Sequence, residues 1–157
     1  METANPHVVF LLEGQRYALA LEQVERLLRA VEITPLPESF GTVCGVVNVQ
    51  GTVIPVLDLR RRFGVPEREI DVGDQLLVVR SGKTLIALPV DDTIGLVLEA
   101  AGEPLATGGG DSQPAYVSSV LPMGGDLVMV LDVAALLTPS ELHALSDMEQ
   151  SEQEGRE

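Results

Sequence analysis

Short apolar runs rich in aliphatic and β-branched residues recur along the chain, each broken by a polar corner that contains glycine. Val8–Leu12 ends at Glu13-Gly14 and Tyr17–Leu21 follows, which reads as a β-hairpin. Val43–Gly51 and Thr52–Leu59 read as two strands about Gln50-Gly51, with Pro55 expected where no ladder hydrogen bond is required. Leu76–Val79, Thr84–Val90 and Thr93–Leu98 continue the strand pattern, and Tyr116–Leu121 and Leu127–Leu131 close it. Leu21–Ile33 fits two periods. Leu21, Val24, Leu28 and Val31 make a helical face, while Val24, Leu28 and Ala30 share one side of a strand. A helical turn followed by a strand is the favoured reading. Pro35 and Pro37 are then expected to stop any regular element, because proline lacks the amide donor.

Leu59–Phe63 reads as a short helix before Gly64, Val65–Gly73 as a charged linker, and Ala100–Ala115, with Gly108-Gly109-Gly110, as a flexible loop. Thr138-Pro139-Ser140-Glu141 is a capping box with proline at the first helical position. Leu142, Leu145 and Met148 recur on one face after it, so a C-terminal helix is expected.

The two halves of the chain resemble each other. Val8–Arg16 lines up with Leu76–Thr84 at an offset of 68, and Gly51–Leu59 with Gly125–Val133 at an offset of 74. Each half offers a hairpin first and a Gly-to-Leu-Asp strand last. Two similar β-lobes, each too small to bury its own apolar face, are expected to pack together. The paired Asp58 and Asp132 end their strands just before a helical turn, where a carboxylate caps free backbone amides.

Composition narrows the function. Of 157 residues, 45% are hydrophobic but only 3% aromatic, so the core is aliphatic. Ten basic against 24 acidic residues leave a net charge of −14, a field that repels nucleic acid and anionic lipid alike. One cysteine excludes an intrachain disulfide framework and a cysteine-cluster zinc site. The N-terminus does not read as a signal peptide and no apolar run is long enough to span a bilayer, so a cytoplasmic protein is expected.

Candidate chemistry is sparse. His7 and His143 lie near opposite ends and read as solvated; neither is assigned a metal. Asp91-Asp92 reads as a strand end beside a turn. Gly108-Gly109-Gly110 lacks the lysine of a phosphate loop. Cys44, within an apolar strand, reads as an inert buried thiol. Arg60-Arg61-Arg62 is the one basic cluster; it reads as a solvated helical turn, with a patch that meets an acidic partner surface as the alternative. No catalytic residue, cofactor or metal is expected.

On these motifs the sequence resembles the CheW-like family, the scaffold domain of bacterial chemotaxis signalling. Leu36-Pro37 and then Val43-Cys44-Gly45-Val46-Val47-Asn48-Val49-Gln50-Gly51 resemble the family's Gly-Val-Ile/Val-Asn-Leu-Arg-Gly segment. Val53–Arg60 with Phe63, Val90-Asp91 and Tyr116-Val117 carry the likeness further. The resemblance implies an all-β fold: two SH3-like five-stranded β-barrels on a shared aliphatic core, with short helical turns and a C-terminal helix. It implies one domain over residues 7–148, with flexible termini at 1–6 and 149–157. It further implies a non-enzymatic adaptor that couples the cytoplasmic tip of a chemoreceptor, a methyl-accepting chemotaxis protein, to the regulatory domain of a CheA-type histidine kinase.

Carried over by motif, the receptor-binding groove comprises Val24, Arg26, Leu27, Val43, Val46, Val49 and Gln50. An apolar groove suits an amphipathic helix. Three positions depart from the family pattern. Gln50 stands where arginine is usual, Arg26 where glutamate is usual, and Ser119 where glycine is frequent. The first two form an opposite-charge pair in typical members, so altered partner choice is expected. A small-molecule- or peptide-binding β-barrel outside chemotaxis is the alternative function.

Overall fold

The computed structural model describes residues 5–29, 33–40, 42–66, 73–99, 116–123, 125–141 and 143. In chain order the elements are β1 (Asn5–Leu12), β2 (Gln15–Ala20), a 3-10 turn (Leu21–Gln23), β3 (Val24–Arg29), β4 (Thr34–Phe40), β5 (Val43–Val49) and β6 (Thr52–Leu57). The short helix α1 (Leu59–Phe63) leads to β7 (Gln75–Ser81), β8 (Thr84–Val90), β9 (Asp92–Glu99), β10 (Val117–Met123), β11 (Asp126–Leu131) and a second 3-10 turn (Val133–Ala135). The expected linker at Val65–Gly73 and the loop at Ala100–Ala115 fall largely outside the described residues. So do Leu142, Leu145 and Met148. Pro139–Glu141 and His143 have helical backbone.

The strands form two sheets. Sheet A has the order β10-β11-β2-β1-β9, and sheet B the order β3-β7-β8-β6-β5-β4. Each sheet therefore takes its central hairpin from one half of the chain and its other strands from the other half. The halves are interlocked, not juxtaposed.

Side-chain alternation explains why. In β1, Val8, Phe10 and Leu12 enter a core shared by the sheets, while Val9 turns into the interior of sheet A. In β7, Leu77 and Val79 enter the shared core, while Leu76 and Val78 turn into the interior of sheet B. A hairpin buried on both faces reads as a continuous apolar run, as both hairpins do in the sequence. Four of the five aromatic residues gather at one seam of the shared core. Their rings follow one another as Phe10, Tyr17, Phe63 and Tyr116, with centroids 5.7, 4.7 and 4.9 Å apart.

The internal repeat is visible in hydrogen bonds. Asp58 N–H donates to the Thr42 carbonyl at 2.7 Å, and Asp132 N–H to the Tyr116 carbonyl at 2.8 Å. Cys44 Sγ–H donates to the Val56 carbonyl, and Ser118 Oγ–H to that of Val130. Cys44 and Ser118 are each skipped in the pairing of β5 and β10, so each is the extra residue of a β-bulge. All of these pairs keep the offset of 74.

The hairpins require a correction. Leu12 pairs Gln15 and Ser81 pairs Thr84, so the structural offset is 69, not 68. Glycine takes the second place in the Glu13-Gly14 turn, where both φ are positive, and the first in Gly82-Lys83. Aligning the glycines thus slips the strand by one residue and exchanges its faces. At 69, Ala18 matches Ala87; the first faces Val130 across a parallel ladder and the second faces Val56.

Pro35 and Pro37 do not stop the chain. Thr34–Phe40 is an edge strand that gives sheet B its sixth member, paired only with β5 and only at Thr34, Pro35 and Phe40. An edge strand tolerates proline because one side needs no ladder donor. Pro55 lies in β6, whose pairing with β8 is confined to Val56 opposite Ala87. His7 is half-buried within β1, not solvated, and the strand begins at Asn5, ahead of the expected domain boundary.

β4 crosses so close to β5 that a Cβ on Gly45 would stand 2.6 Å from the Thr34 carbonyl oxygen. Ser119 is the repeat counterpart of Gly45, on β10, and among the described residues no strand pairs with the outer edge of β10. A side chain is therefore accommodated at Ser119. Gly45→Ala is expected to cost about 1–3 kcal/mol in urea unfolding, whereas Ser119→Ala should change stability by about 0.5 kcal/mol or less.

Candidate functional site

Gln50 owes its position to a two-residue turn. Gln50 and Gly51 have φ of 51° and 88°, the paired positive values that suit the twist of a tight β-hairpin. Asn48 Oδ1 accepts from Gly51 N–H at 2.9 Å and secures the corner between β5 and β6. At an edge of the same sheet, β3 carries a bulge at Glu25, after which Arg26 stands opposite Val78. The bulge turns Arg26 toward the interior of sheet B, and Arg26 Nη1 donates to Gln50 Oε1 at 3.5 Å.

These two residues stand at the mouth of a cavity of about 160 Å³. Val49, Ile54, Val78 and Leu85 supply its apolar lining, and Thr52 and Glu25 complete the rim. Glu25 is engaged by Arg80 on the neighbouring strand, Nε to Oε1 at 2.6 Å. Among the described residues no carboxylate pairs with Arg26.

Of the groove residues inferred from the sequence, Arg26, Val49 and Gln50 meet at this cavity. Leu27 follows Arg26 on β3 but points to the other face of the strand, opposite Leu77, and is 46% exposed. Val46 is half-buried on β5, and Val24 packs partly buried against the shared core. Val43 requires correction: it is fully buried, at 0% exposure, within the shared core and offers no surface to a partner. The bulge at Cys44 is the cause. It reverses the alternation, so Val43 faces the shared core while Val47 and Val49 face the interior of sheet B.

The capping residues hold the corners at the strand ends. Asp58 Oδ1 accepts from Arg60 N–H at 2.9 Å, and Asp132 Oδ1 from Ala134 N–H at 3.1 Å. Thr138 Oγ1 accepts from Glu141 N–H, and Glu141 Oε1 from Thr138 N–H, a reciprocal pair. The Glu141 carboxylate also accepts from Thr42 N–H and Thr42 Oγ1–H and pairs with Arg62. Burial alone would raise its pKa. The hydrogen bonds from Thr138 and Thr42 and the Arg62 cation outweigh that and hold it at about 2.

The arginine cluster is neither a solvated turn nor a free basic patch. Arg60 is 5% exposed and its guanidinium joins Glu13, Asp91 and the Pro66 carbonyl. Arg61 pairs with Asp58, and Arg62 with Glu141. Asp91 in addition accepts from Glu13 N–H at 3.0 Å, so Arg60 ties the β1–β2 turn of sheet A to α1 and the β8–β9 corner. Sequence reasoning missed this. Three consecutive arginines suggest solvent, and only the distant Glu13 and Asp91 reveal burial. The Cys44 thiol is half-buried; burial pushes its pKa up, and Asp58 nearby adds to the rise. No group of three or more potential metal ligands is found among the described residues.

Two small interlocked β-lobes, with a small cavity lined by apolar and polar side chains together, fit a protein-interaction module. The sequence pattern of the CheW-like domain matches residues 6–141. The chain is 25% identical over 139 residues to the chemotaxis protein CheW of Bacillus subtilis, covering 87% of this chain and 89% of that one. It is 29% identical over 143 residues to protein FrzA of Myxococcus xanthus, covering 87% and 88%. The crystal structure of the scaffolding protein TtCheW from Thermoanaerobacter tengcongensis superposes with a TM-score of 0.74 at 25% identity, over 85% of this chain and 92% of that one. The chain belongs to the CheW-like family, with the SH3-like barrels of that fold. It is a non-enzymatic coupling adaptor of chemotaxis signalling. No helix among the described residues is long and apolar enough to cross a membrane.

Two predictions follow the electrostatics. Arg60→Ala leaves two carboxylates facing each other beside an emptied space, and should cost about 3 kcal/mol in urea unfolding. Glu141 has a folded pKa below its ordinary 4.5, so its contribution is complete above that value and is lost as pH falls toward about 2. The melting temperature of the wild type should therefore drop more steeply than that of Glu141→Gln over this interval in thermal scans.

Proposed function

We propose that this adaptor works in the cytoplasm between the tip of a chemoreceptor and the regulatory domain of a CheA-type histidine kinase, with a partner choice that differs from that of typical relatives. One observation carries the reading: at the cavity mouth a cation meets a neutral amide, Arg26 to Gln50, where the family pattern places a carboxylate and a guanidinium. Rim charges contribute little to folding but fix register and exclude wrong partners by unmatched or like charges. The fold therefore tolerates the exchange while the surface changes meaning.

Leu27, 46% exposed on β3, and the half-buried Val46 on β5 are apolar side chains available to an apolar helical ridge. The alternative, a small-molecule site, is less well supported. Ligand pockets usually enclose roughly 300–1,000 Å³ with several converging polar groups. The cavity here, at about 160 Å³, falls well short of that volume.

Calorimetry with receptor-tip hairpins and kinase regulatory domains tests the proposal. The wild-type chain should bind at least one such partner from its own organism. It should bind the Bacillus subtilis partners about tenfold or more weakly than the Arg26→Glu/Gln50→Arg double variant does. Failure to bind any receptor tip or kinase domain of its own organism would reject the adaptor role between these two partners.

A further inference from the structure

We propose that Arg26 is a specificity-determining contact that selects an acidic side chain on the signalling partner, seated beside an aliphatic one that enters the cavity. The inference rests on the adaptor reading and names the chemistry of the partner at that surface.

Three observations carry it. Arg26 is exposed at the mouth of a cavity floored by Val49, Ile54 and Val78. The adjacent acid is already occupied, since Glu25 is held by Arg80 at 2.6 Å. Gln50 Oε1, the polar group facing Arg26, lies at 3.5 Å, the outer limit of a hydrogen bond, and carries no charge. A guanidinium presents a fork of donors that matches a carboxylate in two parallel bonds. One weak bond to an amide leaves most of that fork unused. The apolar floor beside it excludes water once covered, which strengthens a charge-assisted contact relative to its value on an open surface.

Charge complementarity decides between occupants. The protein as a whole is strongly acidic, with a net charge of −14, so its general field draws basic surfaces. At Arg26 the local sign is reversed. A partner with a basic residue opposite Arg26 meets like charge, and one with an aliphatic residue leaves the guanidinium desolvated and unpaired. A carboxylate next to a leucine, isoleucine or valine satisfies both the rim and the floor. The repeat counterpart of Arg26 on β9 is Gly95, so the equivalent end of sheet A lacks this selector.

The test uses the full chain with receptor-tip hairpins and kinase regulatory domains from the same organism, titrated by calorimetry at low and moderate salt. Arg26→Glu should weaken binding to one partner about tenfold or more and flatten its salt dependence, and Arg26→Gln should fall between. Individual Asp or Glu residues on that partner, replaced by arginine, should each be tried against Arg26→Glu; one should regain binding to within about threefold of wild type, as a swapped pair. If Arg26→Glu binds as wild type does while the wild type binds well, the selector is overturned and the adaptor reading stands. Rescue by none of the partner substitutions overturns it equally. If the wild-type chain binds neither partner, the adaptor reading fails and the selector with it.

Discussion

The two hairpins, β1–β2 and β7–β8, are apolar on both faces, and the rest of the architecture is a response to that. A strand pair of this kind needs packed side chains above and below it. Neither interior alone suffices: the cluster inside sheet A comprises Val9, Ala18, Leu121, Val128 and Val130, and that inside sheet B is about as small. The larger core lies between the sheets and draws on both hairpins, β6, β11, α1 and the turn after β11. Because each hairpin is inserted among strands of the other half, neither half of the chain can complete a sheet by itself. Small domains are limited by how little surface they bury, and interlocking two of them removes the limit without lengthening the chain.

Charge reinforces this interlock at a few points. The protein is acidic overall, yet its arginines are largely spent on internal carboxylates: Arg16 on Asp126, Arg60 on Glu13 and Asp91, Arg62 on Glu141, Arg80 on Glu25. A buried ion pair adds little net stability over an apolar replacement, but it tolerates few alternative geometries. Arg60 accordingly fixes how the β1–β2 turn meets α1 and the β8–β9 corner, which an aliphatic core poor in large, shape-specific rings would specify weakly. The four aromatics, whose series includes Phe63 on α1, add the directional packing that Val and Leu lack.

Much of this was legible in the sequence, and the failures share a cause. Continuous apolar runs and turn residues located the hairpins, and the Leu-Asp endings located both caps. The Gln50-Gly51 corner came through because turn chemistry is local, whereas the pairing of positions 26 and 50 was implied only by the family resemblance. Quantities set by a single-residue shift did not come through. The bulge at Cys44 moved Val43 from the face of Val47 and Val49 to the shared core, and the exchange of glycine places between the two hairpin turns hid the true offset. β4 was missed because proline forbids a ladder donor only on a paired side, and which side is paired is a tertiary fact. The arginine cluster was misread for the same reason, its partners lying 47, 31 and 79 residues away.

The duplicated plan also shows where the two lobes diverge. Bulges, caps and carbonyl contacts coincide at Cys44 and Ser118, at Asp58 and Asp132, and at Thr42 and Tyr116, so they belong to the requirements of folding. The lobes part company at Gly45 and Ser119 and at Arg26 and Gly95. The first difference admits β4 to one lobe and leaves the counterpart edge of β10 without a paired strand among the described residues. The second places a cation over a cavity in one lobe and a bare backbone in the other. Geometry common to both lobes cannot distinguish one partner from another, because it is present twice. A position that differs between the lobes is free to discriminate, and Arg26 is one such position that is both exposed and charged.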